Sequence, residues 1–241
     1  GESVLELKNS KYILEKTKDF LIENNYINET WNALNILIQN ASTVGAIDLG
    51  FYNINKDNNF IFFDKLKSKE FKLLYLVGSD NVGIEKNDEF IIYQGSHGDK
   101  NASIADVILP SPTYTEQNGL FENLEGRIQE CRKASYPTNE ALEDWKIFNL
   151  INKSLNSSDL YSNFSSIRKL ALQEIPNFSG IDLLPKKNNA NKTNTLLETT
   201  SEKINIRLID YYFSNSIARA SKTMSDCRNI SSNNKKNGTN S

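Results

Sequence analysis

Ser96, His97 and Asp99 close the run "EFIIYQGSHGD" (89–99) and have the side-chain types of a nucleophile, a general base and its orienting acid. A triad is a matter of geometry, however, and residues this close along one loop rarely aim at one another. No G-x-S-x-G elbow accompanies them, so they read as turn residues after a strand. "VGSDNVG" (77–83) offers Gly78 and Gly83 for a phosphate-binding turn, but the following "IEKNDEF" is too short for the helix a dinucleotide fingerprint needs. Glu116, Glu122 and Glu125 could pair as the acid and base of glycoside hydrolysis. They crowd into one polar stretch with no aromatic platform for a sugar, and Arg127 is the natural ion-pair partner for one of them. Cys131 and Cys227 would form a redox pair only if the fold brought them together; otherwise they read as small buried hydrophobes. Taken residue by residue, no catalytic, cofactor-binding or metal-binding residue is assigned.

These residues stand at the ends of short apolar runs. "FKLLYLVGSD" (71–80), "EFIIYQGSHGD" (89–99) and "ADVILPSP" (105–112) each end in a Gly, Pro or Asp turn. That pattern predicts parallel strands, buried on both faces, whose carboxyl ends feed loops in an α/β sheet. The links leave room for one or two helical turns at most. Helices are predicted over "KYILEKTKDFLIEN" (11–24), over "NETWNALNILIQNASTVGA" (28–46) with Asn28 or Thr30 as cap, and over "TNEALEDWKIFNLINKSL" (138–155) with Thr138 as cap. Two more are predicted over 164–175 and 214–229, with an extended segment over 204–213. The domain expectation is one α/β domain over 1–184, a low-complexity surface loop over 185–203, an extended segment and helix of the same domain over 204–228, and a disordered tail over 229–241.

The 241 residues are enough for a sizeable core, and Lys+Arg 28 against Asp+Glu 30 leaves a net charge of −2. Such a balance predicts no nucleic-acid partner. No run of apolar residues is long enough for a transmembrane helix, and "GESVLELKNS" does not read as a signal peptide. Two Cys and one His exclude a Cys- or His-rich metal site and an iron–sulfur cluster held by this sequence alone. A redox centre, if there is one, must be held by another chain.

Four stretches, in order, carry a resemblance: "WNALNILIQNASTVGAIDLGF" (31–51), "FIIYQGSHGDKNASIADVILPSPTYTEQNGLFENLEGRIQ" (90–129), "EDWKIFNLI" (143–151) and "DYYFSNSIARASKTMSDC" (210–227). Together they resemble the carboxyl-terminal part of the large iron–sulfur subunit of respiratory complex I, NADH:ubiquinone oxidoreductase, of the 75-kDa or mitochondrially encoded type. The 105–127 element alone is less specific, being similar to A-D-V-x-L-P … E-G-R runs across the molybdopterin oxidoreductases.

The resemblance implies a molybdopterin-oxidoreductase-like domain that lacks molybdenum and pterin. Its iron–sulfur clusters would lie on a partner chain or on a missing amino-terminal part. "GESVLE" resembles a turn that follows a buried strand in the family, so the expectation is a chain that starts inside a fold, split or cleaved from its other half and incomplete without it. The implied role is structural, supporting NADH-to-ubiquinone electron transfer carried by cluster-bearing partners. Its place would be the peripheral arm, on the matrix side of the mitochondrial inner membrane, beside other subunits of that arm and without a membrane span of its own. Within 105–127, Asp106, Glu116, Asn123, Glu125 and Arg127 are expected to order a retained mould. The alternative is a subunit of a molybdopterin-dependent oxidoreductase that binds its cofactor with the 105–127 loop.

Overall fold

The computed structural model describes residues 1–51, 62–175, 178, 180–184, 203 and 210–236. The helices are α1 (Ser10–Glu23), α2 (Thr43–Asp48), α3 (Phe62–Lys67), α4 (Lys100–Ser103), α5 (Asp144–Asn156), α6 (Phe164–Glu174), α7 (Ser216–Ala220) and α8 (Lys222–Lys236). The strands are β1 (Leu73–Val77), β2 (Phe90–Gly95), β3 (Val107–Pro110), β4 (Gly119–Glu122) and β5 (Ile128–Cys131). The chain divides into two compact units, each drawn from three stretches. The first takes Gly1–Asn53, Gly119–Cys131 and Asn163–Arg207; the second takes Ile54–Asn118, Arg132–Ser162 and Leu208–Ser241.

The second unit is the α/β part. β1, β2 and β3 pair in that order, all parallel, as the three apolar runs predict. No helix links β1 to β2, and only the single turn of α4 lies between β2 and β3. Leu74 and Leu76 on β1 and Ile91 and Tyr93 on β2 alternate along their strands and so share one face. There they form the core with Leu66, Ile84 and Ala102. The expectation of strands buried on both faces fails, because Leu73, Val77, Val107 and Ile108 are all exposed. Gly95 closes β2 at a close approach: a Cβ there would stand 2.4 Å from the Tyr93 hydroxyl oxygen.

The first unit holds α1, α2, α6 and the antiparallel hairpin β4–β5, whose Ile128 is almost fully buried. The stretch 105–127 is therefore not one loop. It contains β3, a turn in which Glu116 N donates to the Thr113 carbonyl (3.0 Å), and the first strand and turn of the hairpin. Asn123 organises that last turn. Its Oδ1 accepts from Glu125 N (2.9 Å) and Arg127 N (3.0 Å), while Gly126 takes a φ of +80°. This is the positive-φ position that glycine fills without strain.

Other expectations need correction. Helix does not form over 28–42. Asn28 Oδ1 accepts from Thr30 N and Trp31 N (both 2.9 Å), and Asn32 Oδ1 accepts from Leu34 N (2.9 Å). Such local side-chain bonds give the backbone an alternative to the helical ladder, and Trp31 and Leu37 remain exposed. The predicted helix over 28–46 is replaced by a short one, Thr43–Asp48, at its far end. Helix α5 starts after Glu143 rather than after Thr138. The helix expected over 214–229 is broken at Ser221, which is extended (φ −82°, ψ 121°), and Tyr211–Phe213 form a 3-10 turn rather than an extended segment. Helix α8 then runs on through 229–236, where a disordered tail is expected, since neither Pro nor Gly interrupts it before Gly238. Residues 185–202 and 204–209 lie outside the described residues.

Candidate functional site

In the second unit the carboxyl ends of β2 and β3 open onto a cavity of about 810 Å³. This is where an open parallel sheet presents ligands. Ser96 and His97 after β2, Ser111 and Thr113 after β3, and Thr138 are among its lining. Ser96 Oγ lies 3.0 Å from His97 Nδ1, so the first two members of the suspected triad do meet. The third does not join them. The Asp99 side chain accepts from Lys100 N at the start of α4 and is engaged by Arg219 Nε.

Arg219, on α7, ties three segments of this unit together. Its Nε pairs with Asp99, its Nη2 with Asp80 after β1, and its Nη1 donates to the Phe213 carbonyl (3.1 Å). Asn215 caps α7 by accepting from Ala218 N (2.8 Å), which fixes the helix that presents the guanidinium. Burial raises the Asp99 pKa, but the bonds from Arg219 and Lys100 and their charges outweigh it and hold the carboxyl below its ordinary value. Asp80 and Asp99 are therefore anchors of a planar fork. "VGSDNVG" contributes to the same knot. Asn101 Nδ2 donates to the Ser79 carbonyl (2.6 Å) and Asn101 N to the Asp80 carbonyl (3.2 Å).

A second polar knot lies at the start of α5. Gln94, fully buried on β2, donates through Nε2 to Asp144 Oδ1 (2.6 Å) and accepts from the Tyr75 hydroxyl. Gln117 Nε2 donates to Asp144 Oδ2 (2.9 Å) and its Oε1 accepts from Asp144 N (3.2 Å). Beside it, the buried carboxylate of Glu143 accepts from Lys133 Nζ (3.0 Å) and Trp145 Nε1 (2.9 Å). Burial pushes its pKa up, yet the bonds from Trp145 and Lys133 and the charges of Lys146 and Lys133 win and hold it low. Gln94 and Gln117 do not stand out in sequence, because their partner Asp144 is 50 and 27 positions away; a polar Gln inside an apolar run is the one available signal.

The remaining candidates behave differently from expectation. Arg127 Nη1 donates to the Asp182 carbonyl (2.7 Å) rather than serving as the expected carboxylate partner. Glu116 Oε2 accepts from Thr113 N (3.1 Å), and Glu122 meets Asp48 of α2. Asp106 does order its surroundings: Oδ2 accepts from Ile91 N (2.8 Å) and Oδ1 pairs with Lys86, which keeps its carboxyl low. Cys131 and Cys227 are not joined in a disulfide and lie on different units.

Among the described residues lining the cavity the charged side chains are the carboxylates of Glu116 and Glu140, with neither Lys nor Arg to meet a phosphate. Among the described residues no group of three or more His, Cys, Asp or Glu could hold a metal ion. No helix among them is long and apolar enough to cross a membrane.

Two protein families match the chain. The molybdopterin oxidoreductase family matches residues 1–154, and a family described as the C-terminal region of an NADH-ubiquinone oxidoreductase subunit matches residues 176–227. Among curated proteins, the NADH-ubiquinone oxidoreductase 75 kDa subunit of Reclinomonas americana is 34% identical over 95% of this chain and 33% of its own length. The mitochondrial 78 kDa subunit of Candida albicans is 36% identical over 94% of this chain and 32% of its own. An NADH-quinone oxidoreductase subunit of Rickettsia conorii is 35% identical, again over 94% and 32%. The chain thus spans about a third of the length of the curated relatives it matches.

Proposed function

Taking as premise that the chain belongs to the molybdopterin oxidoreductase family, we propose that it is a structural part of the large subunit of respiratory complex I. The observation that carries this reading is the likeness to named NADH-ubiquinone and NADH-quinone oxidoreductase subunits across 94–95% of the chain. The match of residues 176–227 to a domain named for that enzyme agrees with it. The role we assign is support for NADH-to-quinone electron transfer whose cofactors stand on other residues. The motif residues that carry the likeness, Glu143, Asp144 and Arg219, are engaged in clamps inside one unit. Such a rigid body can hold neighbouring cluster-bearing segments at the fixed spacing and burial on which cluster potentials depend.

The iron–sulfur clusters in this reading belong to a partner segment, on a separate chain or not, that packs against the three-stranded sheet. Exposed Leu73 and Val77 on one edge strand and Val107 and Ile108 on the other support such packing. Other subunits of the peripheral arm are the further partners. The place we assign it is the matrix side of the mitochondrial inner membrane; relatives named as mitochondrial agree with the organelle, while Rickettsia relatives have the same likeness.

Affinity purification of the tagged chain, followed by native electrophoresis and an NADH dehydrogenase stain, tests the proposal. Co-migration with NADH-oxidising complex I is expected; a pool wholly separate from it would overturn the reading. A second reading, a subunit of a molybdopterin-dependent oxidoreductase, is favoured by the family match over 1–154. Stoichiometric molybdenum or tungsten in the purified assembly would establish it in place of the first.

A further inference from the structure

Glu122, the last residue of β4, is only 7% exposed, and its Oε2 is buried without a hydrogen-bond partner. The side chain is directed at α2. A Cβ on Gly45 would stand 3.6 Å from Glu122 Cβ and 3.8 Å from Oε2, so the helix lies directly against the carboxyl. At the far end of that helix Asp48 shares a side-chain hydrogen bond with Glu122. Two carboxylates have only acceptors, and a hydrogen bond between them requires one proton. Across the hairpin the residue opposite Glu122 is the buried Ile128, which supplies neither charge nor donor side chain. Among the described residues, Asp48 is the charged group that acts on Glu122.

From this arrangement we infer that the Asp48–Glu122 pair is a proton-operated latch that holds α2 against the β4–β5 hairpin and lets it go as the shared proton is lost. With the proton in place, the Glu122 hydroxyl donates to the half-buried Asp48 carboxylate and the pair carries a single charge. Without it, two like charges face one another at a site where one oxygen has no donor, which opposes docking. Burial, and then the bond and charge of Asp48, push the Glu122 pKa up to about 7 from an ordinary 4.5. The sign follows from linkage: the docked state binds the proton more tightly than the open state. The latch is fully closed below the ordinary value and weakens as pH rises from 4.5 to about 7. For those two values, the ratio of docked to open α2 falls about tenfold between pH 6 and pH 8.

Hydrogen exchange read by mass spectrometry on the full chain in its assembly tests the latch. The readout is a peptide over 43–51, which carries the amide bonds Ala46 N to Ser42 O (3.0 Å), Leu49 N to Gly45 O (2.9 Å) and Phe51 N to Ala46 O (2.9 Å). After correction for the intrinsic pH dependence of exchange, protection should fall about tenfold from pH 6 to pH 8. Glu122→Gln, which keeps a donor and cannot ionise, should abolish that fall. Equal protection at both pH values in the unaltered chain, or an undiminished fall in Glu122→Gln, would overturn the inference. If Glu122→Gln does not assemble, Asp48→Asn decides: the transition should move to lower pH, and an unmoved transition would equally overturn it.

Discussion

Replacing Arg219 by Ala removes one guanidinium and leaves two carboxylates, Asp80 and Asp99, without their shared partner. The three side chains are 18–22% exposed, so the pair is largely but not fully withdrawn from water. A hydrogen bond to a charged group contributes about 1.5–3 kcal/mol, and breaking a fully buried ion pair costs about 3–5 kcal/mol. Partial exposure lowers the figure, and we expect a loss of about 2–4 kcal/mol from the second unit. For a chain of this length that lowers Tm by roughly 5–15 °C. Trp31 and Trp145 are the two tryptophans and lie on different units. In a Trp31→Phe background, Trp145 fluorescence therefore follows the unit that contains Arg219. Arg219→Lys, a point charge without the fork, should recover no more than about half of the loss. The Asp99 contribution is present above its ordinary value of 3.8 and disappears as pH falls through its lowered folded value. The gap between the parent and Arg219→Ala should accordingly close in strong acid. A loss under about 0.5 kcal/mol at neutral pH would refute the reasoning, since it is what a solvated surface pair gives.

Further outcomes follow from the other contacts. Glu143→Gln leaves Lys133 and Lys146 without their carboxylate and should destabilise the second unit by about 1–3 kcal/mol in the same fluorescence melt. Gly95→Ala forces a Cβ to within 2.4–2.9 Å of Oη, Cζ and Cε1 of Tyr93 and should cost about 1–3 kcal/mol in the same melt, a cost that Tyr93→Phe should not remove because the ring carbons stay in place. Asn123→Ala removes the acceptor of two turn amides and should loosen the hairpin more than Glu125→Ala, read as faster exchange of the Gly126 and Arg127 amides. Arg127→Ala, which loses the bond to the Asp182 carbonyl, should lower the amount of assembled complex on native gels without changing its specific NADH oxidation.

Local patterns alone determined much of this protein. The three apolar runs ending in Gly, Pro or Asp specified three parallel strands, because a strand and its turn are written in neighbouring residues. Helices α1 and α6 are legible from their apolar spacing; the Asn163 cap of α6, which accepts from Ser166 N (3.0 Å), is a finding of the structure. The hairpin over 119–131 has a local signal too, Asn123 and Gly126 between two short runs, but those runs are four residues each and too short to stand out from the polar residues around them. The failed helix over 28–42 shows the limit of periodicity: Asn28 and Asn32 offer the backbone local bonds that the apolar spacing of Trp31, Leu34 and Leu37 ignores. What tertiary structure decided is where the charges go. Arg219 meets Asp99 across 120 positions and Asp80 across 139, and Gln94 meets Asp144 across 50. Glu122 likewise finds Asp48 rather than the nearby Arg127. Composition tells how many carboxylates and cations exist, but burial and long-range packing choose their partners, since a polar group taken from water must take whichever partner the fold places beside it.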